Sequence, residues 1–332
     1  MSLINVRLLR TPTLALSCLL FFALGNFIAH QFQAQSGCIH QLDPGHEALS
    51  ELREGYHGLK TQKTFLLVMI LSSPSNVERR KAIRQTWLNL APNVKAEVLP
   101  LFVLGDLTLA TKEEELIQSE NLAYKDLLIL PVEDAFDLLT KKVLATLVQL
   151  DRNVQFKYLL KVDDDTYVDV PKMLDELKNS NYESALYWGL FDGRAPVFRS
   201  PRSKWQEADY FLCDKYIPYA LGGGYVLSQD LVHFIAENAD LLKLYKNEDV
   251  SVGTWLAPLK VNRVHDTRFD TEARSRGCSK EFIVTHKQSV ENMRDKHRHL
   301  TEKGTLCDGD PHLIPIYEYN WKVPPSKCCE RP

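Results

Sequence analysis

Between residues 65 and 162, short apolar runs alternate with segments whose apolar residues recur at helical spacing. The apolar runs cover 65–71, 97–104, 127–132 and 157–162, and the helical segments cover 77–88, 112–122 and 138–150. Because strands that alternate with helices form a mostly parallel sheet covered on both faces, the pattern predicts an α/β domain. Ligands of such sheets bind beyond the carboxyl ends of the strands, so residues 72–84 and 163–165 should share one edge.

The N-terminal segment predicts a membrane anchor. Residues 14–29 carry no charge, whereas Arg7 and Arg10 precede them and the next basic residue is Arg53. This asymmetry favours a cytoplasmic tail (1–12), a transmembrane signal-anchor (13–29), a stem (30–60) and a lumenal domain (61–332). A cleaved signal peptide is the alternative interpretation, and a buried core helix fits poorly because the segment has no polar face.

Composition and cysteine usage narrow the class of protein. The formal net charge is -3 and the sequence pI about 6.4, which argues against a nucleic-acid partner. The six cysteines beyond the anchor are disulfide candidates in a lumenal domain, but their pairing stays open. They are Cys38, Cys213, Cys278, Cys307, Cys328 and Cys329. The neighbours Cys328 and Cys329 are not expected to pair with each other, since their Cα spacing opposes ordinary disulfide geometry.

Three consecutive carboxylates, Asp163, Asp164 and Asp165, follow the strand at 157–162. Such a cluster repels itself, and a hard divalent cation such as Mg²⁺ or Mn²⁺ would compensate it through oxygen ligands. The alternative is a solvated turn that caps the helix starting near Val170. A calcium loop is excluded, because the required Gly and Glu positions are not matched.

A second acidic pair, Glu248 and Asp249, precedes an apolar stretch. One interpretation is a helix N-terminus whose acids offset the helix dipole. The other is a general base beside an apolar wall, where desolvation helps a carboxylate to accept a proton. His286 ends a further apolar run and is either a structural histidine or a metal ligand.

Basic and glycine-rich segments supply further candidate ligand-binding residues. Arg79, Arg80 and Arg84 form a solvated helix face or bind a diphosphate through paired hydrogen bonds. The glycine run at 222–224 lacks the spacing of a dinucleotide-binding or phosphate loop, and instead allows backbone to approach a flat ligand beside Tyr225. Trp188 is a candidate for sugar stacking or for core packing.

These segments, in this order, resemble the inverting β-1,3-galactosyltransferase family of the secretory pathway. The matching segments are 78–87 (ERRKAIRQTW), 161–167 (KVDDDTY), 218–228 (PYALGGGYVLS), 248–250 (EDV) and 285–287 (THK). Residues 274–279 (RSRGCS) and the terminal Cys328-Cys329 are similar to the branch that extends galactose-β-1,4-xylose on serine.

The resemblance implies a GT-A nucleotide-sugar fold, UDP-galactose as donor and a galactosyl-xylosyl-protein acceptor. It also implies a Golgi type II membrane protein that associates with other linker-synthesising transferases. Asp165, with Asp163, would hold Mn²⁺ (Mg²⁺ possible) and His286 would complete the ligand set. Asp249 would be the general base, with Glu248 the weaker candidate.

The residues themselves supply one set of candidate donor contacts and one candidate pocket for the donor or acceptor. The donor contacts would be Arg79, Arg80, Arg84, Asp163 and Asp164; the pocket residues would be Trp188, Gly189, Gly223, Gly224 and Tyr225. Two alternatives stay open. They are a family relative with another donor or acceptor, such as N-acetylglucosamine transfer onto galactose, and a membrane-anchored carbohydrate-binding module without activity.

Overall fold

The computed structural model describes residues 62–180, 182, 184–309, 318–323 and 327–330. The predicted tail, anchor and stem, together with Cys38, lie outside the described residues. Within the described ranges, every helix is too short or too polar to cross a lipid bilayer.

The described residues form strands and helices in alternation. The strands are β1 (Gln62–Lys63), β2 (Leu66–Leu71), β3 (Val98–Gly105), β4 (Leu127–Leu130), β5 (Val154–Gln155), β6 (Tyr158–Asp163), β7 (Tyr167–Val168), β8 (Leu186–Asp192), β9 (Tyr219–Ser228), β10 (Asn262–His265), β11 (Phe269–Asp270), β12 (Val284–Thr285), β13 (Glu318–Tyr319) and β14 (Cys329–Glu330). The α-helices are α1 (Val77–Gln85), α2 (Pro92–Lys95), α3 (Thr111–Tyr124), α4 (Leu139–Asn153), α5 (Val170–Asn179), α6 (Gln229–Glu237), α7 (Glu248–Trp255) and α8 (Val290–Lys303).

The central sheet has the strand order β10-β8-β9-β6-β2-β3-β4. Strand β2 runs parallel to β3 and β6, whereas β9 runs antiparallel to both of its neighbours, β6 and β8. The prediction of a mostly parallel sheet in an α/β domain is therefore confirmed.

Strand β2 is buried along its whole length because helices cover both faces of the sheet. Its alternate residues enter two separate cores, since successive side chains of a strand point to opposite faces. Leu67 and Met69 pack in the core that includes α4, α6 and α7, whereas Val68 and Ile70 pack with α1, α5 and α8. An uninterrupted apolar run is the sequence that such double burial requires.

A smaller sheet, β11-β12-β7, lies next to the carboxyl end of β6. Strand β12 pairs antiparallel with β7, with Thr285 opposite Tyr167. The residue after β12 therefore lies beside the residues that precede β7. This pairing brings His286 to the aspartate triplet.

The cysteines partly contradict the sequence-based expectation. Cys278 and Cys307 form a disulfide with a Cα separation of 5.9 Å, whereas Cys213 is exposed and pairs with no other cysteine of the described ranges. Cys328 and Cys329 are bonded to each other, so the expectation that they do not pair was wrong. The usual Cα range describes cysteines that meet across chain segments, whereas these two close a small ring at a Cα spacing of 3.7 Å.

We expect the Cys278–Cys307 bridge to contribute substantially to stability, because it ties the chain after β11 to the chain after α8. Replacing both cysteines by alanine should lower the free energy of unfolding by about 2–4 kcal/mol. Urea denaturation of the purified chain measures this loss. The Cys213→Ala variant is the control, and a loss of the same size in that variant would contradict the prediction.

Candidate active site

The three aspartates of the triplet have different surroundings. Asp164 is buried and its carboxylate accepts hydrogen bonds from Ser72 Oγ (2.7 Å), Asn76 Nδ2 (2.8 Å) and Arg79 Nη1 (2.9 Å). It therefore fastens the loop after β2 to the end of β6. Asp163 and Asp165 remain partly exposed.

His286 faces Asp163 and Asp165, the two partly exposed carboxylates of the triplet. Its Nε2 lies 2.9 Å from Asp165 Oδ1 and 3.5 Å from Asp163 Oδ2. One ligand atom from each of the three residues lies within 4.8 Å of the others. Two carboxylates and one imidazole at this spacing can hold a divalent cation.

The other side of the imidazole is enclosed. His286 Nδ1 is buried and has no hydrogen-bond partner among the described residues, and a Cβ at Gly223 would overlap the ring. Gly223 is thus required for close approach of β9, and Nε2 is the nitrogen that faces the carboxylates, with Lys287 Nζ 3.2 Å away. The donor set therefore fits a metal ion on the side of Nε2.

The charges of this cluster reinforce one another. Burial alone would lower the pKa of His286, but Asp163 and Asp165 outweigh burial and raise it. Burial alone would raise the pKa of Asp163, yet Lys161 and His286 hold it well below the usual range. The pKa of Asp165 is also lowered: burial opposes this shift, and His286 is its main cause. Both carboxylates are therefore ionised at neutral pH.

Lys161 joins the aspartate triplet to the second acidic pair. Its fully buried Nζ lies 2.9 Å from Asp163 Oδ1, donates to Gly222 O at 2.5 Å and forms a short ion pair with Glu248. Burial opposes the charge of Lys161, but Asp163 and Glu248 outweigh burial and raise its pKa above the ordinary value. The ammonium is charged and contacts a carboxyl group on each side, Asp163 and Glu248.

Glu248 and Asp249 begin α7 but are held in different ways. Glu248 is buried, and its carboxylate accepts a hydrogen bond from Tyr225 Oη at 3.1 Å and contacts Lys161. Burial raises the pKa of Glu248 to about 7, although Lys161 opposes this shift. Asp249 is half-buried, and its two oxygens accept backbone N–H bonds from Val250 (2.9 Å) and Gly222 (3.1 Å).

A cavity of about 840 Å³ contains both acidic groups. Asp163 and His286 line it, and so do Glu248 and Asp249. Burial raises the pKa of Asp249, partly opposed by Lys161, so this carboxylate is a stronger base than an exposed aspartate. The cavity thus combines a cation-type donor set with a separate carboxylate base.

Two of the predicted donor-binding arginines form ion pairs with acidic residues of the protein instead. Arg80 is fully buried and pairs with Glu120, and Arg84 pairs with Glu120 and Asp126. The expectation that both contact a diphosphate is corrected, because these ion pairs occupy their guanidinium groups. Arg79 alone of the three predicted arginines contacts the triplet.

The predicted aromatic pocket residues belong to the core. Trp188 is fully buried, packs on Phe269 and donates Nε1–H to Asp266, so it is not available for sugar stacking. Tyr225 is also buried and acts through Glu248. Gly189 packs against Ala220, and Gly224 packs against Val284, whereas Gly223 lines the cavity.

Sequence reasoning did not assign a role to Lys161 or to three aromatic residues that line the cavity, Phe136, Phe198 and Trp205. Lys161 carried a usable signal, since a charge inside an apolar strand must find a buried partner. Phe136 begins a three-residue 3-10 helix, and Phe198 and Trp205 lie outside helices and strands, so no periodicity indicates which side chains meet.

Comparison with known proteins supports the sequence resemblance. Residues 78–267 match the family model described as Galactosyltransferase. A mouse protein named beta-1,3-galactosyltransferase 6 is 46% identical over 275 residues, which cover 81% of this chain and 83% of the mouse protein.

More distant relatives carry related names. Beta-1,3-galactosyltransferase GALT1 of Arabidopsis thaliana is 30% identical over 248 residues, 73% of this chain and 38% of the plant protein. UDP-GalNAc:beta-1,3-N-acetylgalactosaminyltransferase 2 of Xenopus tropicalis is 32% identical over 174 residues, 52% of this chain and 35% of the frog protein. This chain thus spans well under half of either of these two relatives.

Removing the ammonium of Lys161 should destabilise the domain strongly. The Lys161→Met variant leaves the carboxylates of Asp163 and Glu248 without their shared counter-ion, which should cost about 3–5 kcal/mol in the free energy of unfolding. Denaturant unfolding measures the loss. Lys178→Met is a matched control, because its surface pair with Glu97 is half-exposed and contributes less than about 1 kcal/mol. Equal losses in the two variants would contradict the prediction.

Proposed function

This chain belongs to the galactosyltransferase family, and we propose that it transfers galactose from UDP-galactose in β-1,3 linkage to galactose-β-1,4-xylose-O-serine. That acceptor belongs to the linker between glycosaminoglycans and proteins. The observation that carries the proposal is one cavity lined both by Asp163 and His286 of the cation-type donor set and by the carboxylate of Asp249. The similarity to the mouse beta-1,3-galactosyltransferase over most of both chains supports the linkage and the donor.

On the donor side, Asp163, Asp165 and His286 would hold Mn²⁺, with Mg²⁺ as the possible substitute, in a GT-A type of site. Bound there, the ion would supply Lewis-acid neutralisation of the charge that develops on the departing UDP. Arg79 has a partly exposed side chain beside Asp164 and Asp165, so its guanidinium can also face the diphosphate. Asp164 contributes by orienting Arg79.

On the acceptor side, Asp249 is the general base. The backbone N–H groups of Gly222 and Val250 hold its carboxylate, while Glu248 is committed to Lys161 and Tyr225. Asp249 accepts the proton of the acceptor 3-hydroxyl as that oxygen bonds to the anomeric carbon. The bond from that carbon to UDP breaks on the opposite face, and UDP leaves with the electron pair. One displacement converts the α-linkage into a β-linkage.

We also place the enzyme in the Golgi membrane as a single-pass type II protein, from the charge-free segment 14–29 and the basic residues before it. Its association with other linker-synthesising transferases is part of the same proposal.

A family relative with another donor or acceptor is the alternative, and the similarity to the frog N-acetylgalactosaminyltransferase supports testing it. Incubating the full chain with a panel of UDP-sugars and β-galactoside acceptors distinguishes the two.

Replacing the general base should abolish most of the transferase activity without weakening the binding of the donor. The Asp249→Asn variant should lose about 10²–10⁴-fold in kcat with the galactosyl-xyloside acceptor, because it cannot accept the hydroxyl proton. Titration calorimetry with UDP and Mn²⁺ checks that donor binding is retained. The exposed Asp214→Asn variant is the control, and unchanged turnover in Asp249→Asn would reject the role of base.

Metal affinity should depend on the triplet and on His286. Chelation with EDTA should abolish transfer, and added Mn²⁺ should restore it. Calorimetric titration of Mn²⁺ into the chelated chain should show clearly weaker binding for Asp165→Asn and for His286→Ala. The Asp214→Asn variant is the control, since Asp214 is exposed and belongs to neither cluster of metal-type ligands in the described ranges. Wild-type Mn²⁺ affinity in His286→Ala would remove this residue from the ligand set.

A further inference from the structure

Three aromatic side chains remain exposed at the wall of the cavity that contains Asp249. Phe136, Phe198 and Trp205 are 46%, 36% and 41% exposed, and all three line this cavity. Large apolar side chains that stay exposed together within a concave site are characteristic of ligand contact. We refer to these three residues together with Lys204 as the aromatic shelf.

The rings of the aromatic shelf form one connected surface. The ring centroids of Phe198 and Trp205 lie 5.8 Å apart with an interplanar angle of 35°. Lys204 Nζ lies 4.6 Å from the Trp205 ring centroid and 5.3 Å from that of Phe136. Lys204 therefore joins Phe136 to the other two rings through cation–π contacts.

Hydrogen bonds to the backbone of Phe198 hold the shelf in position, although its rings are exposed. The Phe198 N–H donates to Tyr216 Oη at 3.2 Å, and the Phe198 carbonyl accepts from the Glu207 N–H at 2.7 Å. Tyr216 is buried in a small aromatic core with Tyr210 and Tyr245. A surface that is ordered before binding loses little conformational entropy when a ligand arrives.

The same loop is bonded to the start of the helix that carries the base. Asn247 Nδ2 donates to the Trp205 carbonyl at 3.2 Å, and Glu207 Oε2 accepts from the Lys246 N–H at 2.6 Å. Asn247 precedes Asp249 by two residues, so their Cα atoms are at most about 7.6 Å apart. The shelf therefore lies close to the acceptor side of the reaction, at a position fixed relative to Asp249.

The chemistry of the shelf suits the face of a pyranose ring. One face of a sugar presents C–H groups that an aromatic ring covers, while hydroxyls at its edge require polar neighbours. Lys204, Lys246 and Asn247 supply such polar groups around the rings. The metal-side residues Asp163 and His286 account for the donor, which leaves the shelf for the acceptor.

We infer that the aromatic shelf binds the second sugar of the acceptor, the unit next to the one whose hydroxyl attacks. This inference rests on the proposed function, in which that second sugar is xylose. Trp205 stacks on the pyranose, and Phe198 and Lys204 hold the Trp205 ring in position. The shelf thereby distinguishes a galactosyl-xyloside from a simple β-galactoside.

The kinetic test compares two acceptors, using the full chain with UDP-galactose and Mn²⁺. The Trp205→Ala variant should raise KM about five- to tenfold for the galactosyl-β-1,4-xyloside. Its KM for UDP-galactose and for a methyl β-galactoside should stay unchanged. Trp205→Phe should restore most of the loss, because it retains an aromatic face. Asn247 Nδ2 donates to the backbone carbonyl of Trp205, and this bond does not depend on the indole, so the loop stays anchored in both variants.

Phe211→Ala is the matched control, because Phe211 is 76% exposed but does not line the cavity. A KM for the disaccharide that is the same in Trp205→Ala and Phe211→Ala would overturn the inference. So would an equal rise in KM for both acceptors, since that would indicate a general structural effect.

A binding measurement separates this inference from the proposed function. In saturation-transfer NMR with UDP and Mn²⁺ present, the xylose protons of the disaccharide should receive saturation from the wild-type chain, and Trp205→Ala should lose this effect. Absence of the xylose signal in the wild type overturns the inference. A xylose signal that depends on Trp205, combined with no galactose transfer, would reject the proposed reaction and leave the shelf as a glycan-binding site.

Discussion

The buried ammonium of Lys161 connects the two acidic groups on which the site depends. It contacts Asp163 on one side and Glu248 on the other, and it donates to the carbonyl of Gly222 in the neighbouring strand. Without a central cation, two sets of carboxylates could not be buried this close together, because the desolvation cost of each would add to their mutual repulsion. One charged side chain in a core strand therefore allows both acidic groups to line one cavity.

This arrangement gives adjacent carboxylates different functions. Asp164 secures the loop after β2, whereas Asp163 and Asp165 face His286. In the same way Glu248 is fixed by Lys161 and Tyr225, which leaves Asp249 to face the cavity. Neighbouring residues with the same functional group thus differ in role because their partners differ.

Much of the fold was predictable from periodicity. The strand predicted at 65–71 is observed as Leu66–Leu71, and the helix predicted at 138–150 as Leu139–Asn153. Long apolar patterns succeed because burial on the two faces of a sheet requires them. The ends of short elements were harder to predict. The helix predicted at 77–88 ends at Gln85, and the side chain of Trp87 packs in the core. The disulfide between Cys328 and Cys329 was not predicted either. The usual range of Cα separations in disulfides does not apply to cysteines that are adjacent in sequence.

The sequence by itself determined the α/β architecture, the acidic motifs and the edge of the sheet where the first of them lies. The reason is that strand polarity and hydrophobic period are local properties of the chain. Only the tertiary structure decided that His286 meets Asp163 and Asp165, since this depends on the pairing of β12 with β7. It also decided that Trp188 is core while Trp205 is exposed at the cavity, because the burial of a single aromatic ring depends on segments distant in sequence.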